Sequence, residues 1–273
     1  MRLALPALAL VGCLTTAACT VSEVETVPRP QSDSVLPEEP STPPPPPPPE
    51  PKKPPAVATP DPEPSKGDDT FAEVVYVLMR DRHFDLWFCT GTLVAKDRVV
   101  TAAHCLDQRM FVSYEIIAPL APSRPSVSAS DPRVFGGDFE VVENPDIGIL
   151  TLDTPIMLST YAQLTDVVAR VEAGEELSAA AMVRTREQPE APLAMTEHLP
   201  LSSTVALGYA HGFGTPYFSN GGDSGAGLFL VENGKPTHKL IAVARQPEPD
   251  RDLDHFTRIG APFLEWYDAN TKH

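Results

Sequence analysis

Short apolar runs bounded by turn-forming residues recur through the larger, C-terminal part of the chain: Val74 to Met79, Gly91 to Ala95, Arg98 to Ala102, Ile147 to Leu152, Val205 to Gly208, Gly227 to Val231 and Lys239 to Ala244. Runs this short, separated by Pro, Gly, Asp and Asn clusters, predict β-strands. Their spacing predicts a barrel or sandwich, because alternating βαβ units would need long helical periods between them. Roughly 200 residues suffice for one all-β unit with a sizeable core. No internal repeat of fixed period is present, and nothing points to a second enzyme domain.

The N-terminal quarter reads differently. Arg2, an apolar stretch from Leu3 to Leu14 and small residues before Cys19 have the pattern of an export signal over residues 1–19. The stretch of about 12 apolar residues is too short to cross a hydrocarbon core of ~30 Å, which takes about 20. Residues 20–69 are rich in proline, including Pro43 to Pro49, with Glu, Ser, Thr and Lys between and almost no aromatic side chains. That composition cannot bury a core and predicts a disordered stalk, with polyproline II segments rising ~3.1 Å per residue. Residues 70–273 remain as the folded domain. The formal charge of -16, with a pI near 4.8, argues against a nucleic-acid partner, whose phosphates call for a basic surface.

Three segments carry candidate chemistry. Gly221-Gly222-Asp223-Ser224-Gly225-Ala226-Gly227 sets a serine between glycines on a tight turn, and Thr101-Ala102-Ala103-His104-Cys105 offers an imidazole. A serine hydroxyl attacks a carbonyl at neutral pH only when a neighbouring base takes its proton, so the two together point to acyl transfer. Asn144-Pro145-Asp146-Ile147-Gly148 starts an apolar run with an acid, which is costly in a core unless something polar or cationic meets it. His104 is the natural partner, and His211 is the one competing base. The remaining histidines read as bystanders.

These three segments, in the order His, Asp, Ser, resemble the motifs of the trypsin-like (chymotrypsin-fold) serine proteases, and the resemblance extends over roughly residues 71 to 268. It implies an all-β fold of two six-stranded antiparallel β-barrels with a short C-terminal helix, and a serine endopeptidase acting on protein or peptide substrates. It implies a catalytic triad of His104, Asp146 and Ser224, and an oxyanion hole made by the N–H groups of Gly222 and Ser224. It also implies a disulfide between Cys89 and Cys105, which an exported compartment permits. No cofactor is expected, and no further Cys or His falls at metal-ligand spacing.

Around Cys19, Thr16-Ala17-Ala18-Cys19 resembles a bacterial lipobox, in which the cysteine is lipidated and becomes the mature N-terminus. Leu10-Val11-Gly12-Cys13 matches the lipobox more closely but leaves an unusually short signal, and an ordinary signal peptide with incidental cysteines stays open. Lipidation at Cys19 would make the chain an exported bacterial lipoprotein held on a membrane in the periplasm, at the outer membrane or at the cell surface.

The departures from the family bear on activation and specificity. An Ile-Val-Gly-Gly-like sequence, whose freed amine pairs with the acid before the serine, is missing, so Asp223 needs another partner or the loop is ordered without cleavage. Phe218 stands six residues before Ser224, where trypsins hold the acid at the base of the P1 pocket. Asp254 aligns near another wall and could meet a basic side chain, and Arg245-Gln246 replaces the usual Trp-Gly beside the substrate strand. A non-catalytic binding domain with a relic triad is the alternative reading.

Overall fold

The computed structural model describes residues 71–272, so the signal region, both lipobox cysteines and the proline-rich stalk lie outside the described residues. The first half forms β1 (Val74–Asp81), β2 (Leu86–Ala95), β3 (Arg98–Thr101), β4 (Phe111–Ile117), β5 (Ser126–Val134) and β6 (Gly148–Leu152). These close into an antiparallel barrel in the order β1-β2-β3-β6-β5-β4.

The second half contributes β7 (Gln163–Leu164), α1 (Val168–Glu172), β8 (Ser178–Arg184), β9 (Leu193–Met195), β10 (Leu199–Pro200) and β11 (Ser202–Ser203). It continues through β12 (Gly212–Thr215), β13 (Gly227–Glu232), β14 (Lys235–Glu248) and β15 (Leu253–Arg258) to the closing helix α2 (Ala261–Thr271). Its strands build a barrel-like nine-stranded sheet in the order β10-β8-β13-β14-β15-β12-β11, with β7 on β14 and β9 on β8. The two-barrel expectation therefore holds. The second barrel is the more irregular, with several two-residue strands and β-bulges that shift the register of β13 and β14.

Successive strand residues point to opposite faces, so a strand with one wet face alternates apolar and polar. Here the runs carry apolar residues on both faces because both faces are covered. Val75, Val77 and Met79 fill the first barrel together with Leu93, Val99 and Leu150. Leu228, Leu230, Ile241 and Phe256 fill the second. The opposite faces, carrying Val74, Val100, Ile149, Phe229, Leu240 and Val243, meet in a third core between the halves, which Phe263 of α2 joins.

One polar pair crosses the same joint. Glu73, 1% exposed, meets His238 Nδ1 from β14, and the His238 ring stacks on Phe71. Burial pushes the Glu73 carboxyl above its ordinary 4.5, outweighing the opposing hydrogen bond from His238. The native chain then holds a proton that the unfolded chain has already lost, so this group's stabilisation is full below pH 4.5 and drains away as pH rises through the elevated native value. Glu73→Gln is expected to flatten that decline in a series of urea midpoints taken from acid to neutral pH. Superimposable wild-type and variant profiles would refute the assignment.

Val205 to Gly208 departs from the strand expectation. It forms a single 3₁₀ turn over Val205–Leu207, ended by Gly208 at φ 97°. Val205 and Leu207 lie exposed, and among the described residues no strand pairs with this turn. Valine and leucine mark a strand only where a sheet face is available to take them.

Candidate active site

His104 sits in a 3₁₀ turn, Ala103–Leu106, that follows β3 directly. Asp146 lies just ahead of β6, which pairs with β3, so the barrel's own hydrogen bonding brings acid and imidazole together. The contact has two points. Asp146 Oδ1 accepts the His104 backbone N–H at 2.9 Å, and Oδ2 lies 2.7 Å from His104 Nδ1. Asp146 is 3% exposed, whereas the His104 side chain keeps 34% of its surface open to the cleft. A carboxylate placed this way fixes which ring nitrogen carries the proton and leaves Nε2 on the open side as the acceptor. Gly148 makes the approach possible, because a Cβ there would lie 2.5 Å from Arg133 O and 2.7 Å from Leu106 Cδ1.

Ser224 is half-buried on the turn between Asn220 and Ala226. The turn is locked by Asp223 N–H to Asn220 O at 3.1 Å and Ala226 N–H to Asp223 O at 2.8 Å. It leans against the histidine side of the molecule: Thr90 N–H donates to Ser224 O at 2.8 Å, and Cys105 Sγ lies 3.9 Å from the same oxygen. Gly225, at φ 79°, has the first barrel's Thr90 O, Thr101 Oγ1 and Ala102 N packed where a Cβ would stand. A larger residue would push the serine turn away from the histidine turn, which is why glycine follows the serine. Ser224 Oγ has no hydrogen-bond partner among the described residues, and in such sites that bond often tightens only on substrate.

Cys89 on β2 and Cys105 beside His104 form the disulfide, with Cα atoms 6.4 Å apart. Closing that loop stabilises the fold by ~3 kcal/mol in the chain-entropy model and fixes the histidine turn to the wall behind it. The two sulfurs lie near His104, but being bonded to each other they present no thiolate to a metal. His211 lies elsewhere, lining a surface cavity with Phe135, Val168 and Arg258, and burial together with the Arg258 charge pushes its imidazole down.

The N–H groups of Gly222 and Ser224 have no acceptor among the described residues. The peptides around them are held from behind by Arg184, the last residue of β8, which is 1% exposed. Its backbone N–H donates to Asp223 Oδ1 at 2.8 Å, while Asn220 N–H donates to Oδ2 at 2.9 Å. Its guanidinium donates to Cys89 O at 2.7 Å, Pro189 O at 3.2 Å, Thr90 Oγ1 and Gly222 O. The rings of Tyr76 and Phe88 lie 4.9 and 5.3 Å from its central carbon. Burial lowers the guanidinium to about 10, so it remains cationic at neutral pH. Burial also raises the Asp223 carboxyl, against the pull of the two backbone donors and the nearby Arg184 charge. Asp223 thus has its partner within the domain. No motif marks Arg184 in the sequence, since the alanine-rich stretch it closes carries no recognisable pattern.

The three residues expected at the substrate pocket separate. Asp254 and Arg245 line a cavity beside Ser224, whereas Phe218 does not. The Phe218 ring turns into the second barrel and stacks on Phe256 at 6.1 Å, so it neither replaces the pocket acid nor blocks the entrance. Arg245 is buried, and its guanidinium is engaged by the carbonyls of Phe139, Val141, Val142 and Asn144 at 2.9–3.3 Å. It braces the loop leading to Asp146 and is not free to attract an acidic substrate.

The sequence model of the trypsin family matches residues 74–243. The chain belongs to the trypsin family. Among solved structures it is similar to one described as GrC, at 18% identity over 76% of this chain and 97% of that one, with a TM-score of 0.59. It is also similar to the thermostable serine protease AL20 from an extremophilic microorganism, at 14% identity over 74% and 99% of the two chains and TM-score 0.58. A third is the scabies mite inactivated protease paralogue S-D1, at 19% identity over 73% and 92% and TM-score 0.57. Identities this low establish the fold. Membership of the trypsin family with this fold supports a serine protease type of function, and the inactivated paralogue among the matches shows that the fold alone does not carry catalysis, which resides in the site.

Proposed function

We propose that this trypsin family chain is a serine endopeptidase working through His104, Asp146 and Ser224. The observation that carries this reading is the two-point hold of buried Asp146 on His104, which leaves the other ring nitrogen open toward the cleft that Ser224 borders. His104 Nε2 takes the Ser224 hydroxyl proton as Oγ bonds to the substrate carbonyl carbon. The carbonyl oxygen becomes an oxyanion held by the N–H groups of Gly222 and Ser224. The C–N bond then breaks as His104 returns the proton to the leaving amine, giving an acyl-enzyme. Water, deprotonated by His104, repeats the sequence to release the acid and restore Ser224. Asp146 orients the imidazole and stabilises its cationic form throughout.

The Arg184 framework behind Gly222 and Asp223 makes the oxyanion loop competent without a freed N-terminus, so the enzyme needs no activating cleavage. The N-terminal segment supports a further part of the reading: an exported lipoprotein, lipidated at Cys19 and carried on its proline-rich stalk. Acyl mass on the membrane-fraction protein should disappear in Cys19→Ala, and its loss only in Cys13→Ala would move the cleavage site.

A fluorophosphonate probe tests the catalytic reading, since it bonds covalently only to a serine activated by its base. Wild type is expected to be labelled and Ser224→Ala to stay blank. Equally poor reaction of the two would sink the enzyme reading in favour of a non-catalytic binding domain.

A further inference from the structure

We propose that the cavity beside Ser224 selects a small side chain, that of glycine, alanine or serine, at P1, the residue whose carbonyl is attacked. The inference rests on the catalytic reading above and names its substrate class. The cavity lies on the second-barrel side of Ser224, bounded by Ser219, Arg245, Gln246, Asp254 and His255, and its volume is ≈ 20 Å³. A space this narrow takes a short side chain without displacing its walls, whereas a ring or a long basic stem has to push them apart.

The walls are fixed by bonds that an entering side chain would have to break. Asp254, 1% exposed, accepts the N–H groups of Phe218 and Ser219, each at 2.8 Å, and the Ser219 hydroxyl at 2.7 Å. The acid is therefore folded back onto the 218–219 turn, and a lysine or arginine stem would find neither the length nor a free carboxylate. His255 is stacked on Tyr209 with ring centroids 3.7 Å apart, and Gln246 donates to the Tyr209 hydroxyl at 2.9 Å. Gln246 and Pro247 pair with His255 and Asp254 across β14 and β15, which fixes the backbone of that wall. Overpacking a site of this kind forces strained rotamers or backbone shifts.

The test uses the full chain and a set of peptidyl diphenyl phosphonates identical except for alanine, phenylalanine or lysine at P1, with the small fluorophosphonate beside them. The alanine compound is expected to inactivate Ser224 at least about 10-fold faster than either of the others, the scale on which a filled pocket discriminates by size. If the fluorophosphonate labels Ser224 while the phenylalanine or lysine compound equals or outpaces the alanine one, the inference falls and the enzyme stands. An inert fluorophosphonate removes the enzyme reading and this inference together.

Discussion

Ser224→Ala and His104→Ala should each lower kcat by about 10⁶, and the double variant should be no worse than either alone. The reason is that the two side chains act as one device. An imidazole without the hydroxyl has no nucleophile to activate, and a hydroxyl without the imidazole keeps its proton. Independent contributions would multiply, giving a double variant far below either single one. Shared function caps the loss near ~8 kcal/mol of transition-state stabilisation and leaves a floor supplied by the oxyanion hole and substrate binding. The measurement is kcat on a peptide carrying a small P1 residue, for the four members of the cycle. A double variant worse than both singles by a further large factor would show that Ser224 and His104 do not work on the same proton, and the acyl-enzyme mechanism would fail with it.

The chemistry of the site is more legible in the sequence than its support. Ser224, His104 and Asp146 announce themselves because each stands in a short motif whose neighbours are forced: Gly225 by the backbone of the opposite barrel and Gly148 by Arg133. The strands around Val77, Val99, Leu150 and Leu228 are legible because hydrophobic residues crowd both faces of strands that pack on a core inside each barrel and on a third between them. β8 is not, since Ala179, Ala180 and Ala181 carry weak strand preference and are held in the sheet by β13 on one side and β10 on the other. Arg184 at its end is invisible for the same reason. Arg245, Asp254 and Phe218 show the limit of reading a pocket by position along the chain. Alignment places all three near the substrate, whereas packing turns one ring inward and commits both charged groups to backbone partners.

Arg184→Met should cost both stability and turnover, and the second effect separates a positioning role from a merely structural one. Methionine keeps the apolar stem between Tyr76 and Phe88 but takes the guanidinium donor from the carbonyls of Cys89 and Pro189 and leaves Gly222 O held by the Thr90 hydroxyl alone, at 3.0 Å. Breaking up a buried charged cluster by removing one partner typically destabilises by about 3–5 kcal/mol, which a urea midpoint will register. The Gly222 peptide is thereby loosened, and losing an oxyanion donor costs about 10²–10³ in kcat, here with little change in KM. Removing the cation also takes away a charge that opposes the effect of burial on Asp223. The Asp223 carboxyl then rises further, so the acid limb of the kcat/KM profile should move to higher pH. Arg184→Lys retains the charge without the planar fork and should recover the pH profile better than the turnover. A variant that unfolds more easily yet turns over at the wild-type rate with an unshifted acid limb, when assayed well below its midpoint, would make Arg184 a core brace and nothing more. The oxyanion loop would then owe its order to the Asn220 and Asp223 turn alone.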